Sequence, residues 1–490
     1  VLNSDLSRSK YGASLCFFLI ANLLFALNFA TPTVLAETGS EEPFSAPKPK
    51  EWELSNGLGV RFLRDSELPI VFGTLYIRGG TIWQSADKLG SVAAMGSQLR
   101  EGGAGELSPD QLNIKLDKLA AGVSSSFSQE WGTVSFSCLS RDLEEVFGLF
   151  SNVILRPKFD PKKLSLWKGN LISRIKRRKE NPQEVAQIAF QQILYGDSPF
   201  GRVSTEKDIA KLTRQDVVAQ YQKMVKPKGA ILTLGGNLTE EQARKLVEER
   251  FGKWSGSADL GEVEDIKVEA AAGIYFIDMP VSQSSIFMGH LGVPRRTPDY
   301  ASIDVFNEIF GSSGFGLARL FVRIRTELGL AYQVYGAISP GLKRGQNVIV
   351  VQTKAESTDE AMVESINVLR DIQENGVREE ELREVKRSIE NSYIFNFAST
   401  DRILGRHASI ELLGWPDNFD QTYLPAIRLI GNHEVTDTSR SRWNLKDFVF
   451  VVVGNEDAYA QIERRLKEDP QALQGLQLKR LKFDQKLEWP

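Results

Sequence analysis

What most constrains this chain is that it states one structural plan twice. In the first half, "SRDLEEVFGLFSNVILRPKFDPKKLSLWKGNLI" reads as an acidic-capped helix, a break and a second helix opened by "FDPKKL". In the second half, "TDEAMVESINVLRDIQENGVREEELREVKRSI" repeats that order, its second helix opened by "VREEEL". Late strand-like runs correspond as well, "GAILTLGG" near 235 and "DFVFVVVGN" near 451. A period of roughly 215 residues is far longer than a solenoid unit and describes a duplicated domain. Each copy mixes helical and alternating patterns, so the expected class is α+β, with each half a sandwich of one sheet and the helices packed on it. At 490 residues the chain also exceeds a single typical core.

The segments between the repeats set the expected boundaries. Arg8 and Lys10 precede the apolar run "ASLCFFLIANLLFALNFA", and small or apolar residues lead up to Ala36, so residues 1–36 read as a signal peptide cleaved after Ala36. A retained membrane anchor is the competing reading of the same run. Residues 37–51 are a polar, proline-containing tether, and the first domain spans 52–254, opening with a hairpin at "WELSNGLGVRFLR". The small, acidic residues 255–272 form a linker, the second domain spans 273–470, and 471–490 are a C-terminal tail. Cys16 lies in the signal, which leaves Cys138 alone in "GTVSFSCLS" as a buried, unreactive strand residue.

Composition removes several function classes. Sixty Lys and Arg against 63 Asp and Glu give no long-range field to gather nucleic acid or an anionic membrane. The basic run "RIKRRK" (174–179) reads as the solvated face of a helix. "GSSGFG" lacks the preceding strand and the lysine of a phosphate-binding loop, and is read as a flexible turn.

The most informative stretch is "GSSGFGLARLFVRIRTELGLAYQVY" (311–335), where a glycine-bearing turn is followed by Arg319-Leu320-Phe321, Arg325 and Gly329-Leu330-Ala331-Tyr332. Here the chain resembles the M16 metallopeptidase family, the pitrilysin and insulinase group, over residues 52 to about 470. The resemblance implies two homologous α/β-sandwich domains of metallohydrolase-like (LuxS-like) type, forming one half of a clamshell. It also implies that Arg325 and Tyr332 face a zinc site across a closed chamber and bind the substrate backbone and its oxyanion. Gly311, Gly314 and Gly316 match a segment that borders the chamber and contacts substrate. Physically, Arg325 at a helix end and Tyr332 at a strand start can be aimed at one point by the intervening glycine turn, and each such donor is worth roughly 3 kcal/mol of barrier.

Active members of that family carry His-x-x-Glu-His on a helix of the first domain: two histidines bind zinc and the glutamate acts as base. Laid on "LGSVAAMGS", that pattern falls on Ala93, Gly96 and Ser97, and the distal ligand falls near Arg174. No substitute is apparent, because His290, His407 and His433 are the only histidines and none has a partner at i, i+4. "NHEVTD" (432–437) reads as a solvated loop or helix cap.

The chain is therefore expected to hold no metal or other cofactor and not to hydrolyse peptides alone. The resemblance makes it a zinc-less subunit paired with a homologous M16 subunit that carries the zinc motif, acting on peptides in the periplasm, an equivalent lumen or outside the cell, with no stable membrane insertion after cleavage and no nucleic-acid partner. The alternative is a catalytically inert structural or peptide-binding homologue.

Overall fold

The computed structural model describes residues 47–267, 270–312 and 318–488. The expected signal peptide with Cys16, tether residues 37–46, and Gly314 and Gly316 lie outside the described residues. Among the described residues no helix is long and apolar enough to cross a membrane.

Two sheets organise the chain, one in each copy. The first contains β1 (Lys50–Glu53), β2 (Gly59–Arg64), β3 (Ile70–Arg78), β4 (Gly122–Phe127), β5 (Trp131–Leu139) and β6 (Ile231–Gly236), in the order β1-β2-β6-β3-β5-β4. The second contains β7 (Gly273–Asp278), β8 (Gln283–Leu291), β9 (Ala331–Ser339), β10 (Gln346–Lys354), β11 (Val449–Gly454), β12 (Leu478–Phe483) and β13 (Leu487–Glu488), in the order β13-β12-β7-β11-β8-β10-β9.

The duplication is visible in the pairing. β2 runs parallel to β6 as β7 does to β11, and β3, β5 and β4 pair antiparallel in the same succession as β8, β10 and β9. Gly59 to Gly273 is a step of 214 positions and Trp131 to Gln346 one of 215, the period expected from the sequence.

The copies differ at one edge. β1 reaches β2 antiparallel through the turn at Asn56-Gly57, where Gly57 takes φ +84° and Asn56 Nδ2 donates to the carbonyls of Phe251 and Trp254. In the second copy that edge is covered by β12, which arrives from the C-terminus and runs parallel to β7. Within the expected tail, residues 478–483 thus form a strand of the second sheet. β7 is buried at its first five positions, so its outer backbone groups need a partner, which β12 provides.

Each sheet is closed by a helix from the other copy. Helix Pro182–Tyr195 packs on β8 and β11, with Phe190 and Phe287 at 6.0 Å between ring centroids, and its Val185, Ala189 and Ile193 share a core with Val449, Val451 and Val453. Reciprocally, helix Thr400–Leu413 lies on β2, β3 and β6. A Cβ on Gly235 of β6 would come within 2.9 Å of Leu404 Cδ1, so this contact runs helix to bare backbone. Polar stitches rim both seams: Thr400 Oγ1 donates to Asp65 Oδ2 at 2.9 Å, Arg61 pairs with Glu411 at 2.6 Å, and Gln352 Nε2 donates to Gln183 Oε1 at 2.9 Å. This exchange explains why β6 and β11 are buried at every position and do not alternate: both their faces are covered.

Candidate functional site

The stretch that carries the Arg–Tyr pair departs from regular structure three times in quick succession. Helix Tyr300–Asn307 widens into π-type turns over Glu308–Ser312, and the chain resumes in the same form over Phe321–Glu327. It leaves that helix with the Leu328 N–H donating to Arg323 O at 3.2 Å and the Leu330 N–H to Ile324 O at 2.9 Å. Gly329 then takes φ +64°, a left-handed conformation that suits glycine. In β9, Gln333 faces Gln352 while Ala331 faces Thr353, which leaves Tyr332 as the extra residue of a bulge. Thr353 Oγ1 pins the bulge by donating to Leu330 O at 2.7 Å. Wide turns and bulges both re-aim side chains, and together they turn Tyr332 outward to 79% exposure.

The Arg325 guanidinium lies 4.8 Å from the Tyr332 ring centroid and 4.8 Å from that of Phe321. Two rings thus hold one cation, each contact being worth about 0.5–1 kcal/mol at an exposed position. The neighbouring arginines are committed elsewhere. Arg319 pairs with Glu381 at 2.6 Å and Asp371 at 2.8 Å, and Arg323 pairs with Glu364 at 2.8 Å and Glu327 at 3.1 Å. Among the described residues Arg325 pairs with no carboxylate, so its N–H fork remains open to a carbonyl or an oxyanion beside the Tyr332 hydroxyl. Phe321 stands in the sequence motif without a role of its own; its place four residues before Arg325 on one helix is the signal that gives it one.

The equivalent helix of the first copy, Ser91–Glu101, has been filled in. Ala93 and Ser97 are half-buried on one side, and Ser97 Oγ donates to Glu101 Oε2 at 3.0 Å. Gly96 is buried against β4: its carbonyl accepts from Ser125 Oγ at 2.5 Å, and a Cβ there would meet Phe127 N at 2.9 Å. Arg174 is exposed on helix Pro161–Lys176. These side chains do not fit a zinc ion: two offer no donor, one is a hydroxyl already engaged, and one is a cation. Among the described residues no group of three or more His, Cys, Asp or Glu is arranged to hold a metal.

The histidines have structural surroundings. In β8, His290 Nδ1 donates to Leu291 O at 2.8 Å while Nε2 accepts from the Asn444 N–H at 3.1 Å, and burial pushes its pKa below the ordinary value. His407 sits on helix Thr400–Leu413. His433, in the first turn of helix Asn432–Arg442, pairs with Asp437 at 3.0 Å, while Glu434 accepts from the Gly431 N–H, so "NHEVTD" opens and caps a helix. Burial raises the Cys138 thiol to about 12, which keeps it an inert core group.

Gly311 differs from its expected role. It is buried against β9, where a Cβ would meet Gly336 N at 2.4 Å and Gly336 O at 2.5 Å. Its absent side chain lets a helix approach a strand, and it offers no open wall to a substrate.

Comparisons with known proteins bear on the family and the fold. A family model described as the peptidase M16 inactive domain matches residues 211–389. A protein of Helicobacter pylori named non-peptidase homolog YmxG is 23% identical over 399 residues, covering 79% of this chain and 90% of that protein. The crystal structure of a peptidase M16 inactive domain from Pseudomonas fluorescens is similar at a TM-score of 0.76 and 25% identity, over 83% of this chain and 98% of that one. Residues 211–389 thus match an M16 family model, and the chain as a whole shares the M16 fold. Within the M16 fold its Arg–Tyr corner lies in the second copy and its ligand-free helix in the first. The periplasmic protease PqqL of Escherichia coli shares the fold at a TM-score of 0.71 and 17% identity, over 89% of this chain but 49% of PqqL.

Proposed function

We propose that this M16 chain is the zinc-less subunit of an exported, two-subunit peptidase, lending Arg325 and Tyr332 to a zinc site on a homologous partner. One observation carries the reading: an arginine that has no carboxylate partner among the described residues, held between Phe321 and Tyr332 on an exposed corner of the second copy. A guanidinium fixed by two rings loses little rotamer freedom when it binds, and a peptide carbonyl gaining negative charge is an acceptor suited to it and to the Tyr332 hydroxyl. The first copy contributes no ligand or base, so the hydrolytic centre belongs to the partner. Each subunit would form half of a clamshell around an unfolded peptide. The match to about half of the longer PqqL chain is consistent with such a half unit. Export is supported by the N-terminal basic and apolar run and by the periplasmic setting of PqqL.

Co-expression with a homologue carrying His-x-x-Glu-His, followed by a peptide-cleavage assay on the purified pair, tests this. The expected outcome is activity from the pair alone, with Arg325→Ala or Tyr332→Phe lowering kcat/KM about a hundredfold. Unchanged activity in both variants would overturn the assignment. The name of the Helicobacter pylori relative favours the second reading, an inert M16 homologue that holds peptides or assembles without hydrolysis. That reading expects no gain of activity on mixing.

A further inference from the structure

A cavity of about 410 Å³ lies between helix Tyr300–Asn307 with its Glu308–Ser312 extension, helix Glu379–Tyr393 and helix Phe419–Leu429. Asp304 and Glu308 face it from one helix, four residues apart, and among the described residues neither pairs with a lysine or arginine. The nearby Arg406 is already engaged, pairing with Asp420 at 2.5 Å and donating to Tyr393 Oη at 3.0 Å. Burial raises the pKa of both carboxyl groups, and for Glu308 the neighbouring Asp304 adds to it, so the pair is held at a cost that a cation would relieve.

Hydrogen-bonding capacity in the lining points the same way. The Tyr423 hydroxyl donates to Asp304 Oδ2 at 3.0 Å and the Tyr393 hydroxyl to Asp420 Oδ1 at 2.9 Å. Ser312 Oγ donates to Asn307 O at 2.8 Å and Ser392 Oγ to Ile389 O at 3.1 Å. Both amide atoms of Asn307 are taken by the backbone of Ile338 in β9. With these donors spent, what remains around the two acids is chiefly acceptor capacity, with Ser388 and Asn396 as neutral exceptions. Tyr393 stacks on Tyr423 at 5.2 Å between ring centroids, and with Ile389 supplies apolar surface beside the charges. The volume far exceeds a bare metal ion and falls in the range of small organic ligands.

We infer that this cavity binds a primary ammonium group on an alkyl chain, with Asp304 and Glu308 accepting from the nitrogen and Ile389 and Tyr393 packing on the methylenes. Its lining shares no residue with the Arg325–Tyr332 corner.

The test is calorimetric titration of the full chain near neutral pH with n-pentylamine and, as the uncharged match, 1-pentanol. The amine should bind one to one and the alcohol should not. Glu308→Gln, at a side chain with no hydrogen bond to the protein among the described residues, should weaken the amine about tenfold or more. Equal behaviour of amine and alcohol in the unaltered chain overturns the inference without recourse to any variant, as does full displacement of the amine by equimolar calcium chloride. Nα-acetyl-lysine amide and cadaverine separate the two sources of such a group: tighter binding of the first assigns a peptide lysine, and of the second a free diamine. Failure of both lysine and diamine probes overturns the site.

Discussion

β4 and β9 occupy the same place in the two copies, each the last strand of its sheet and each leaning on the helix where M16 chemistry is expected. β4 pairs with β5 in regular register and presses its Phe127 backbone against Gly96, closing the space where a base would stand. β9 carries a one-residue bulge and presents Tyr332 to solvent beside Arg325, whose guanidinium lies over its ring. One topology thus yields a packed corner and an open one. The difference lies in local irregularity, a bulge and wide helical turns, rather than in the architecture.

The largest effects should come from what the copies share, their exchanged helices. Phe190→Ala removes a buried ring from the seam on the second sheet and Leu404→Ala a buried side chain from the seam on the first, costing about 3–5 and about 2–5 kcal/mol respectively. Urea unfolding should show both variants shifting one common transition; a separate early step for one copy would break the symmetry claimed for the two seams.

Next comes the closed corner. Gly96→Ala should destabilise by about 1–3 kcal/mol, because the added carbon meets Phe127 N, whereas Ser97→Ala should stay within about 0.5 kcal/mol. For the same reason the triple change Ala93→His, Gly96→Glu, Ser97→His should fail to hold stoichiometric zinc after dialysis. Recovery of one zinc per chain would mean that β4 yields more readily than its packing implies.

A pH effect follows from His290, which is buried and whose Nε2 must stay unprotonated to accept from Asn444. Its pKa in the fold lies below the ordinary 6.5, so the unfolded chain binds the proton more readily. The His290 contribution to stability is therefore complete above pH 6.5 and declines as pH falls below it. Thermal melts of the unaltered chain and of His290→Asn should converge in their pH dependence on the acid side if other groups titrate alike.

The smallest effect separates the two rings at the open corner. Phe321→Leu should cost less than about 1 kcal/mol of stability, yet it should move the Arg325 side-chain NMR resonances by removing one ring current. Unmoved resonances would mean that Tyr332 alone sets the guanidinium.

Much of this was readable in residues. The duplicated helix pairs and the two late strands carried the repeat, and the glycine before Tyr332 located the turn that brings it to Arg325. The rest depended on contacts distant in sequence or on single-residue register. Nothing local in "PQEVAQIAFQQILY" says that its apolar face covers the other copy's sheet. The alternation in "LKRLKF" is too polar to announce a strand that shields β7, and the bulge at Tyr332 exists only relative to β10. "GSSGFG" reads as a flexible turn because the partner of its Gly311, Gly336, lies 25 positions away on a strand.

The crossed helices also decide where motion can occur. Among the described residues the connector 255–267 and 270–272 has no helix or strand, and Trp83 Nε1 and Lys343 reach Gly261 O and Asp265 from either side. Because each sheet is roofed by a segment belonging to the other half, severing this connector would leave the halves dovetailed, and they cannot part like jaws without tearing both roofs. Relative motion of the two halves within this chain therefore requires both roofs to lift together.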